Sequence, residues 1–143
     1  MQIAPGVVFA IRQGAVEMRV MFRPHSPTST LPSLSEMKGE NDTFSPACRN
    51  NWHIHHAKSG GGQLLLCTDG LGWYQEAGKS AQALHPGDVV TIPAGVKHWH
   101  GAQKDCWFSH IAVECPGEET SNEWCEPVTD AEYAALDASE AKI

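Results

Sequence analysis

Hydrophobic positions along this chain recur in short runs that alternate with polar residues, and turn residues separate one run from the next. Residues 15–22, AVEMRVMF, place Val16, Met18 and Val20 on one face of a strand. Further hydrophobic runs follow from residue 52 onward, and glycine, proline or aspartate residues separate them. These runs are QLLLCT, GLGWYQEAG, VVTIPAG, KHWHGA and CWFSHIAVE. Short strands at such close and regular spacing predict an all-β sandwich or barrel.

Two segments depart from this pattern. Residues 23–46 are rich in proline, serine and threonine and show no period, which predicts a long loop. A lid, a subunit-contact arm and an irregular excursion all remain open for it. Residues 129–139, TDAEYAALDAS, begin with Thr129 and carry Glu132 three residues later, as in a capping box. They predict one C-terminal helix, which we expect to cover an end of the barrel.

The length of 143 residues is most simply that of one domain with a modest core. We find no repeat and no sign of a second domain. The expected organisation is an N-terminal strand with a long loop in residues 1–46, a barrel core in residues 47–116, and a tail with a helix in residues 117–143.

Charge and composition limit the classes of partner and the cell compartment that we expect for this chain. Acidic residues outnumber basic ones by 17 to 10, and the net charge of -7 argues against nucleic acid or an anionic membrane. No run of 18 apolar residues predicts a membrane span, and the first residues do not resemble a secretory signal. The cysteines are odd in number and form no CxxC pair, so we expect reduced thiols in a cytoplasmic protein. They are Cys48, Cys67, Cys106, Cys115 and Cys125.

Histidines are concentrated in two of the predicted strands. Side chains at i and i+2 of a strand point the same way, so His53 and His55 face together, as do His98 and His100. Two strands that each present such a pair inward can converge on one ion. His110 lies in an apolar strand, where a buried imidazole needs a partner. Neutral imidazole is a good ligand for Mn, Fe, Ni, Cu and Zn, so the pattern predicts a metal site.

The other histidines have simpler interpretations. A single histidine in such a sequence is more often an ordinary polar residue in a turn, but five of the eight fit the strand pattern. His25 in the proline-rich loop and His85 in a turn are expected to be solvated. By alternation His56 faces away from the ion, and we expect it at the surface or behind the ligands.

The second histidine pair carries a family resemblance. Residues 87–102, GDVVTIPAGVKHWHGA, match the second cupin motif, G-x5-P-x-G-x2-H-x3-N, at Gly87, Pro93, Gly95 and His98. Four residue types at fixed offsets make this a specific match. Alanine replaces the final asparagine of the motif. The chain therefore resembles the cupin superfamily, which implies a single-domain jelly-roll barrel, also called a double-stranded β-helix.

The first cupin motif, G-x5-H-x-H-x3,4-E-x6-G, matches less closely. His53, His55 and Gly70 are in register, but Ala47 stands in place of glycine and Gln63 in place of glutamate, after a longer spacer. With these departures from the general motif, the chain resembles the small cupins that include manganese-dependent hydroxynitrile lyases. The resemblance implies a divalent metal, manganese first and Fe, Ni or Zn as alternatives, held by His53, His55, Gln63 and His98.

The same resemblance implies catalytic roles for His100 and His110, a small-molecule substrate, and a homodimer in which the strand near residues 15–22 covers a sheet edge. Gln63 contributes no charge, so the ion keeps its full positive charge and is a stronger Lewis acid. This favours non-redox lyase or isomerase chemistry on a small oxygenated molecule. His100 or His110 would then act as general acid or base.

Three alternatives remain open at this point. The first is uronate ring-opening in sugar-acid catabolism, which uses a similar set of metal ligands. Its substrate carries a carboxylate and therefore requires a basic side chain in the pocket. Arg49 and Lys97 are the basic residues nearest to the motifs. A metal-dependent dioxygenase would need dioxygen. A non-catalytic binding cupin would have a closed metal site, which the extra histidines His100 and His110 disfavour.

Overall fold

The computed structural model describes the backbone of residues 7–12, 15–20 and 38–140, and the side chains of residues 39–136. The chain divides into two compact units, residues 1–31 and 32–143. In the first unit, strands β1 (Val7–Arg12) and β2 (Ala15–Val20) pair antiparallel. The strand predicted from residue 15 is therefore present.

The second unit consists mostly of strands. They are β3 (Lys38–Phe44), β4 (His53–His56), β5 (Ser59–Gly60), β6 (Gln63–Gly70), β7 (Gly72–Glu76), β8 (Gln82–Leu84), β9 (Val89–Ile92), β10 (Lys97–Ala102), β11 (Phe108–Glu114), β12 (Gly117–Glu118) and β13 (Ser121–Trp124). One antiparallel sheet has the order β13-β4-β10-β7-β8, and a second has the order β3-β11-β6-β9. The short strands β5 and β12 form a separate ribbon. This confirms the all-β jelly-roll prediction.

The main core lies between the two sheets. Both sheets contribute apolar side chains to it, among them Leu65 and Phe108 from the second sheet and Tyr74 and Ala102 from the first. Each of these side chains is almost completely inaccessible to water. Burial of this apolar surface between two faces is what drives the sheets together.

A second apolar cluster, which we call the outer cluster, lies on the other face of the first sheet. Its members are Trp52, Trp73, Trp99, Val128 and Tyr133. Trp73 and Trp99 alternate along β7 and β10 with residues that face the main core, so they project outward and need cover. The segment that leads into the helix and the helix itself supply that cover, and the Tyr133 hydroxyl donates a hydrogen bond to the carbonyl of Ala102 at 2.6 Å. The helix thus covers the outer sheet face, and the expectation that it covers a barrel end was wrong.

The helix itself is where the sequence predicts it. Helix α1 spans Asp130–Glu140. The Thr129 amide donates to the Glu132 carboxylate at 2.7 Å, and the Glu132 amide donates to the Thr129 hydroxyl at 3.2 Å. These reciprocal bonds are the predicted capping box. No helix in the described part of the chain is long and apolar enough to cross a membrane.

The predicted loop at residues 23–46 is partly wrong. Its last part forms strand β3, which pairs with β11 so that Phe44 lies opposite Phe108. β3 is an edge strand whose sequence, KGENDTF, is mainly polar because much of it faces solvent, so hydrophobic alternation does not reveal it. Residues 23–37 lie outside the described residues. In the expected tail, β13 likewise joins the first sheet beside β4.

Candidate metal centre

Strands β4 and β10 bring the two histidine pairs together. The strands are antiparallel neighbours, and His98 lies directly opposite His53. His53, His55, His98 and His100 are all buried, whereas Ile54 and His56 are only half-buried. Trp99, between His98 and His100, belongs to the outer cluster. The predicted alternation is therefore correct on both strands.

Three of these histidines offer ligand atoms to a common point. Ligand nitrogens of His53, His55 and His98 all lie within 4.8 Å of one another. Two nitrogens that bind one ion at about 2.1 Å are at most about 4 Å apart, so small side-chain rotations would suffice. This cluster contains no charged ligand.

Each of the three rings is oriented by a hydrogen bond at its other nitrogen. Nδ1 of His53 lies 2.9 Å from the Asn51 carbonyl, and Nδ1 of His98 lies 2.9 Å from the Val96 carbonyl. Nδ1 of His55 lies 2.7 Å from Oδ1 of Asn122. Because these partners are acceptors, Nδ1 carries the proton and Nε2 keeps its lone pair.

Nε2 of His55 and of His98 is buried without a hydrogen-bond partner. Such nitrogens are what a metal ion would satisfy.

Burial lowers the pKa of the His53 and His98 imidazoles and so keeps these two rings neutral. It lowers the pKa of His53, against a raising contribution from the hydrogen bond to Asn51. It lowers the pKa of His98 to about 4, and the neighbouring imidazoles of His53 and His55 lower it further. A metal ion binds the neutral form, so at neutral pH no proton has to leave these two rings before an ion binds.

Gln63 begins strand β6 immediately after the glycine run. The glycines at 60, 61 and 62 have positive φ values of 62°, 72° and 92°. A Cβ on Gly62 would lie 2.2 Å from the Ile92 carbonyl oxygen, so the turn requires glycine there. The Gln63 side chain is buried, and its Oε1 has no hydrogen-bond partner among the described residues. An orphaned buried carbonyl oxygen is a suitable metal ligand.

These observations fit a divalent first-row metal. Three neutral imidazoles and one amide oxygen suit Mn, Fe, Ni or Zn, and the donor set does not select one of them. The fit rests on the orphaned atoms of His55, Gln63 and His98.

His100 and His110 form a second pair that bridges the two sheets. Their ring centroids are 4.7 Å apart, and Phe44 contacts both rings. Burial lowers the pKa of both, that of His100 to well below its ordinary value. The Asn50 side-chain amide lies 3.1 Å from Nε2 of His100, whereas neither ring nitrogen of His110 has a hydrogen-bond partner in the described structure. His110 is thus the ring with free nitrogens.

The remaining described histidines lie outside this cluster, as predicted. Nε2 of His56 pairs with the Glu123 carboxylate at 2.6 Å on the solvent side. His85 is mostly exposed in a turn beside Asp88. His25 lies outside the described residues.

Sequence reasoning missed several residues around the cluster. Asp42 and Phe44 come from β3 and approach His110, with an Asp42 oxygen 3.9 Å from Nε2. Asn122 and Trp124 come from β13, and the indole of Trp124 lies 4.9 Å from the His53 ring with 64% of the residue exposed. Both strands lie at sheet edges, where polar sequences give no strand signal.

We expect the metal-free protein to lose stability as the pH falls from about 6.5 to about 4. The native pKa of His98 is about 4, whereas its imidazole in the unfolded chain has the ordinary value near 6.5. Between these values the unfolded state binds more protons, so acidification favours unfolding. Below pH 4, where His98 is protonated in both the folded and the unfolded state, the loss in free energy of unfolding due to His98 reaches about 3 kcal/mol. Urea unfolding after EDTA treatment, at pH 7.5, 5.5 and 4.5, measures the loss.

The control for this experiment is His98→Asn, which removes the titrating group. Its free energy of unfolding should depend less steeply on pH than that of the unchanged protein. Equal slopes for the two proteins would show that His98 does not retain the low native pKa.

No protein-family model matches the chain. The chain is 37% identical over 107 residues to the (R)-mandelonitrile lyase of Granulicella tundricola, an alignment that covers 75% of this chain and 79% of the relative. Among solved structures, a cupin-like protein from Thermotoga maritima is 39% identical, with a TM-score of 0.63 over 72% of this chain and 74% of that one.

More distant structures agree on the fold alone. The DMSP lyase DddQ from Ruegeria pomeroyi superposes with a TM-score of 0.54 at 18% identity, over 66% of this chain and 46% of that one. The barrel, the histidine cluster and the 37% identical relative lead to the same assignment. The chain therefore belongs to the cupins, as a small member in the family of the (R)-mandelonitrile lyase from Granulicella tundricola.

Proposed function

We propose that this chain is a metal-dependent lyase that cleaves a cyanohydrin into a carbonyl compound and cyanide. The observation that carries the proposal is the convergence of three imidazoles, each with its Nδ1 fixed by an acceptor. The lyase relative at 37% identity supports this reaction over other cupin chemistries. A cyanohydrin also fits the proposed site, because its cleavage develops negative charge on oxygen and on cyanide.

The ligands of the ion would be His53, His55, His98 and Gln63. All four are neutral and buried, and they come from three strands, β4, β6 and β10. When bound, a divalent ion with neutral ligands supplies a Lewis acid that stabilises developing negative charge. Manganese is our first choice because the resemblance implies it, and an amide oxygen is a ligand that manganese accepts.

His110 is the proposed general base. It is buried and neutral, and both its ring nitrogens lack a hydrogen-bond partner among the described residues. The imidazole takes the hydroxyl proton as the C–C bond to the nitrile carbon breaks, and the bonding electrons leave with cyanide. Cyanide then receives the same proton and departs as HCN. Asp42, 3.9 Å from Nε2, stabilises the protonated ring between these two transfers.

Aromatic side chains border the proposed site. Phe44 stacks on His100 and contacts His110, and Trp124 lies against His53. These rings offer an apolar surface to the substituent of the substrate, which favours an aromatic or other apolar cyanohydrin.

The structure gives less support to a uronate substrate. Its carboxylate would need a cation, and the two basic residues nearest the motifs are engaged elsewhere. Arg49 bonds to the carbonyl of Val128 and the carboxylate of Asp130, while Lys97 bonds to Glu126 at 2.6 Å on the outer sheet face. Neither faces the histidine cluster.

The test compares the unchanged protein with Gln63→Glu. We expect about one divalent ion per chain in both, by elemental analysis, and metal-dependent cyanide release from mandelonitrile in the unchanged protein. Release should fall about 10-fold or more in Gln63→Glu, because a carboxylate compensates part of the positive charge of the ion. Gln82→Glu makes the same charge change at an exposed position of β8 and should leave both quantities unchanged.

Other outcomes discriminate among the alternatives. An ion without cyanide release would refute the lyase proposal, and assays with unsaturated uronates and with dioxygen uptake would follow. Failure to bind any divalent metal under any loading condition would refute metal-dependent catalysis altogether.

A further inference from the structure

The three clustered histidines are not oriented in the same way. The Nδ1–H groups of His53 and His98 donate to main-chain carbonyls, which belong to Asn51 and Val96 two residues earlier in the chain. These acceptors are fixed by the course of the backbone. His55 instead donates to a side chain, that of Asn122 on strand β13. The orientation of His55 therefore depends on a residue that substitution can change.

The amide of Asn122 is itself held in one orientation. Asn122 lies directly opposite His55 in the pairing of β13 with β4, and its Oδ1 is 2.7 Å from Nδ1 of His55. Its Nδ2 donates to a carboxylate oxygen of Glu114 at 3.0 Å. An ionised carboxylate only accepts hydrogen bonds, so the amide nitrogen must face Glu114 and the amide oxygen must face His55. Glu114 thus determines which ring nitrogen of His55 carries the proton.

We propose that Asn122, held by Glu114, is a positioning residue that fixes the ring of His55 with its Nε2 lone pair toward the proposed metal ion. The inference rests on the proposed metal site and does not depend on the lyase reaction. Support of this kind behind a ligating histidine commonly changes metal affinity by 10- to 100-fold. Asn122 also carries no charge, so it supports the ligand without offsetting the charge of the ion.

A cavity next to this contact affects the choice of variant. It has a volume of ≈ 130 Å³ and is lined by residues that include His55, Glu114, Cys115 and Asn122. Alanine at 122 would let water enter and accept the Nδ1–H bond. Leucine has nearly the shape of asparagine, excludes water from that place and accepts no hydrogen bond. Asn122→Leu is therefore the sharper variant, and Asn122→Asp is the conservative one that keeps an acceptor oxygen.

The experiment titrates metal-free protein with Mn²⁺ and follows the electron paramagnetic resonance signal of free Mn²⁺. Asn122→Leu should bind Mn²⁺ about 10- to 100-fold more weakly than the unchanged protein. Asn122→Asp should bind within a few-fold of the unchanged protein or more tightly. Glu123→Gln, which alters the neighbouring β13 side chain that pairs with His56, should leave the affinity unchanged.

Two further measurements separate positioning from misfolding. The metal-free Asn122→Leu variant should still unfold in one cooperative transition, because residue 122 is exposed on an edge strand, and its unfolding temperature should fall only by the cost of the lost hydrogen bond to His55. The visible spectrum of the Co²⁺ form should change in Asn122→Leu and be restored in Asn122→Asp. Glu114→Leu, which frees the Asn122 amide to rotate, should weaken Mn²⁺ binding less than Asn122→Leu does.

Equal Mn²⁺ affinity in the unchanged protein, Asn122→Leu and Glu114→Leu would overturn the inference and leave the proposed lyase intact. Absence of Mn²⁺ and Co²⁺ binding by the unchanged protein would overturn the metal site, and the inference with it. Metal binding that depends on Asn122, without cyanide release, would support the inference while refuting the lyase reaction.

Discussion

Replacing His98 with alanine is expected to reduce metal affinity by more than about 100-fold, because a lost ligand costs more than a lost supporting hydrogen bond. His98 is completely buried, its Nδ1 is fixed by the Val96 carbonyl, and its Nε2 has no partner in the protein. Elemental analysis after dialysis should find the unchanged protein loaded and His98→Ala nearly metal-free. Cyanide release from mandelonitrile should be lost in parallel.

The matched control is His56→Ala. His56 is also a histidine of the same sheet, but its ring pairs with Glu123 on the solvent side. Its removal should leave metal content and cyanide release unchanged. Equal metal content in His98→Ala and the unchanged protein would remove His98 from the ligand set.

The largest stability effect is expected for Trp99→Ala. The Trp99 side chain is fully buried between the first sheet and α1, where it packs against Trp52 and Tyr133 and donates a hydrogen bond to Gln75 at 3.0 Å. Truncation leaves a large cavity, so the free energy of unfolding should fall by about 3–5 kcal/mol. Urea unfolding, monitored by circular dichroism, measures this change.

Trp107→Ala provides the comparison for this change. Trp107 is 60% exposed, and its removal should change the free energy of unfolding by no more than about 0.5 kcal/mol. A loss at Trp99 no larger than that at Trp107 would show that α1 does not seal the outer cluster. Trp99→Ala should also weaken metal binding, because Trp99 lies between His98 and His100 on β10.

The sequence predicted the parts of the molecule whose signals are local. Alternation identified which side of β4 and β10 the histidines share, because side chains of a strand alternate strictly. The capping box located α1 through contacts within four residues, from Thr129 to Glu132. Glycine marked the start of the run QLLLCT correctly, since only glycine adopts at no steric cost the three successive positive φ values found before Gln63.

The parts that could not be predicted depend on pairing between distant strands. β3 and β13 are polar edge strands whose neighbours, β11 and β4, lie far away in the sequence. Nothing in the local pattern around Phe44 or Asn122 indicates that either approaches the histidines. The position of α1 was likewise missed, because it follows from the outward tryptophans of two strands, Trp73 and Trp99, and from no property of the helix itself.

The two faces of the first sheet limit which residues of the proposed metal site can be substituted. On β10 the ligand side and the tryptophan side alternate residue by residue, so a one-residue insertion would exchange His98 for Trp99 and destroy site and core together. Gln63 stands at the first position of β6, where a change of side chain disturbs no apolar cluster. Laboratory evolution toward another metal or reaction should therefore accept new residues at position 63 long before it accepts them on β10.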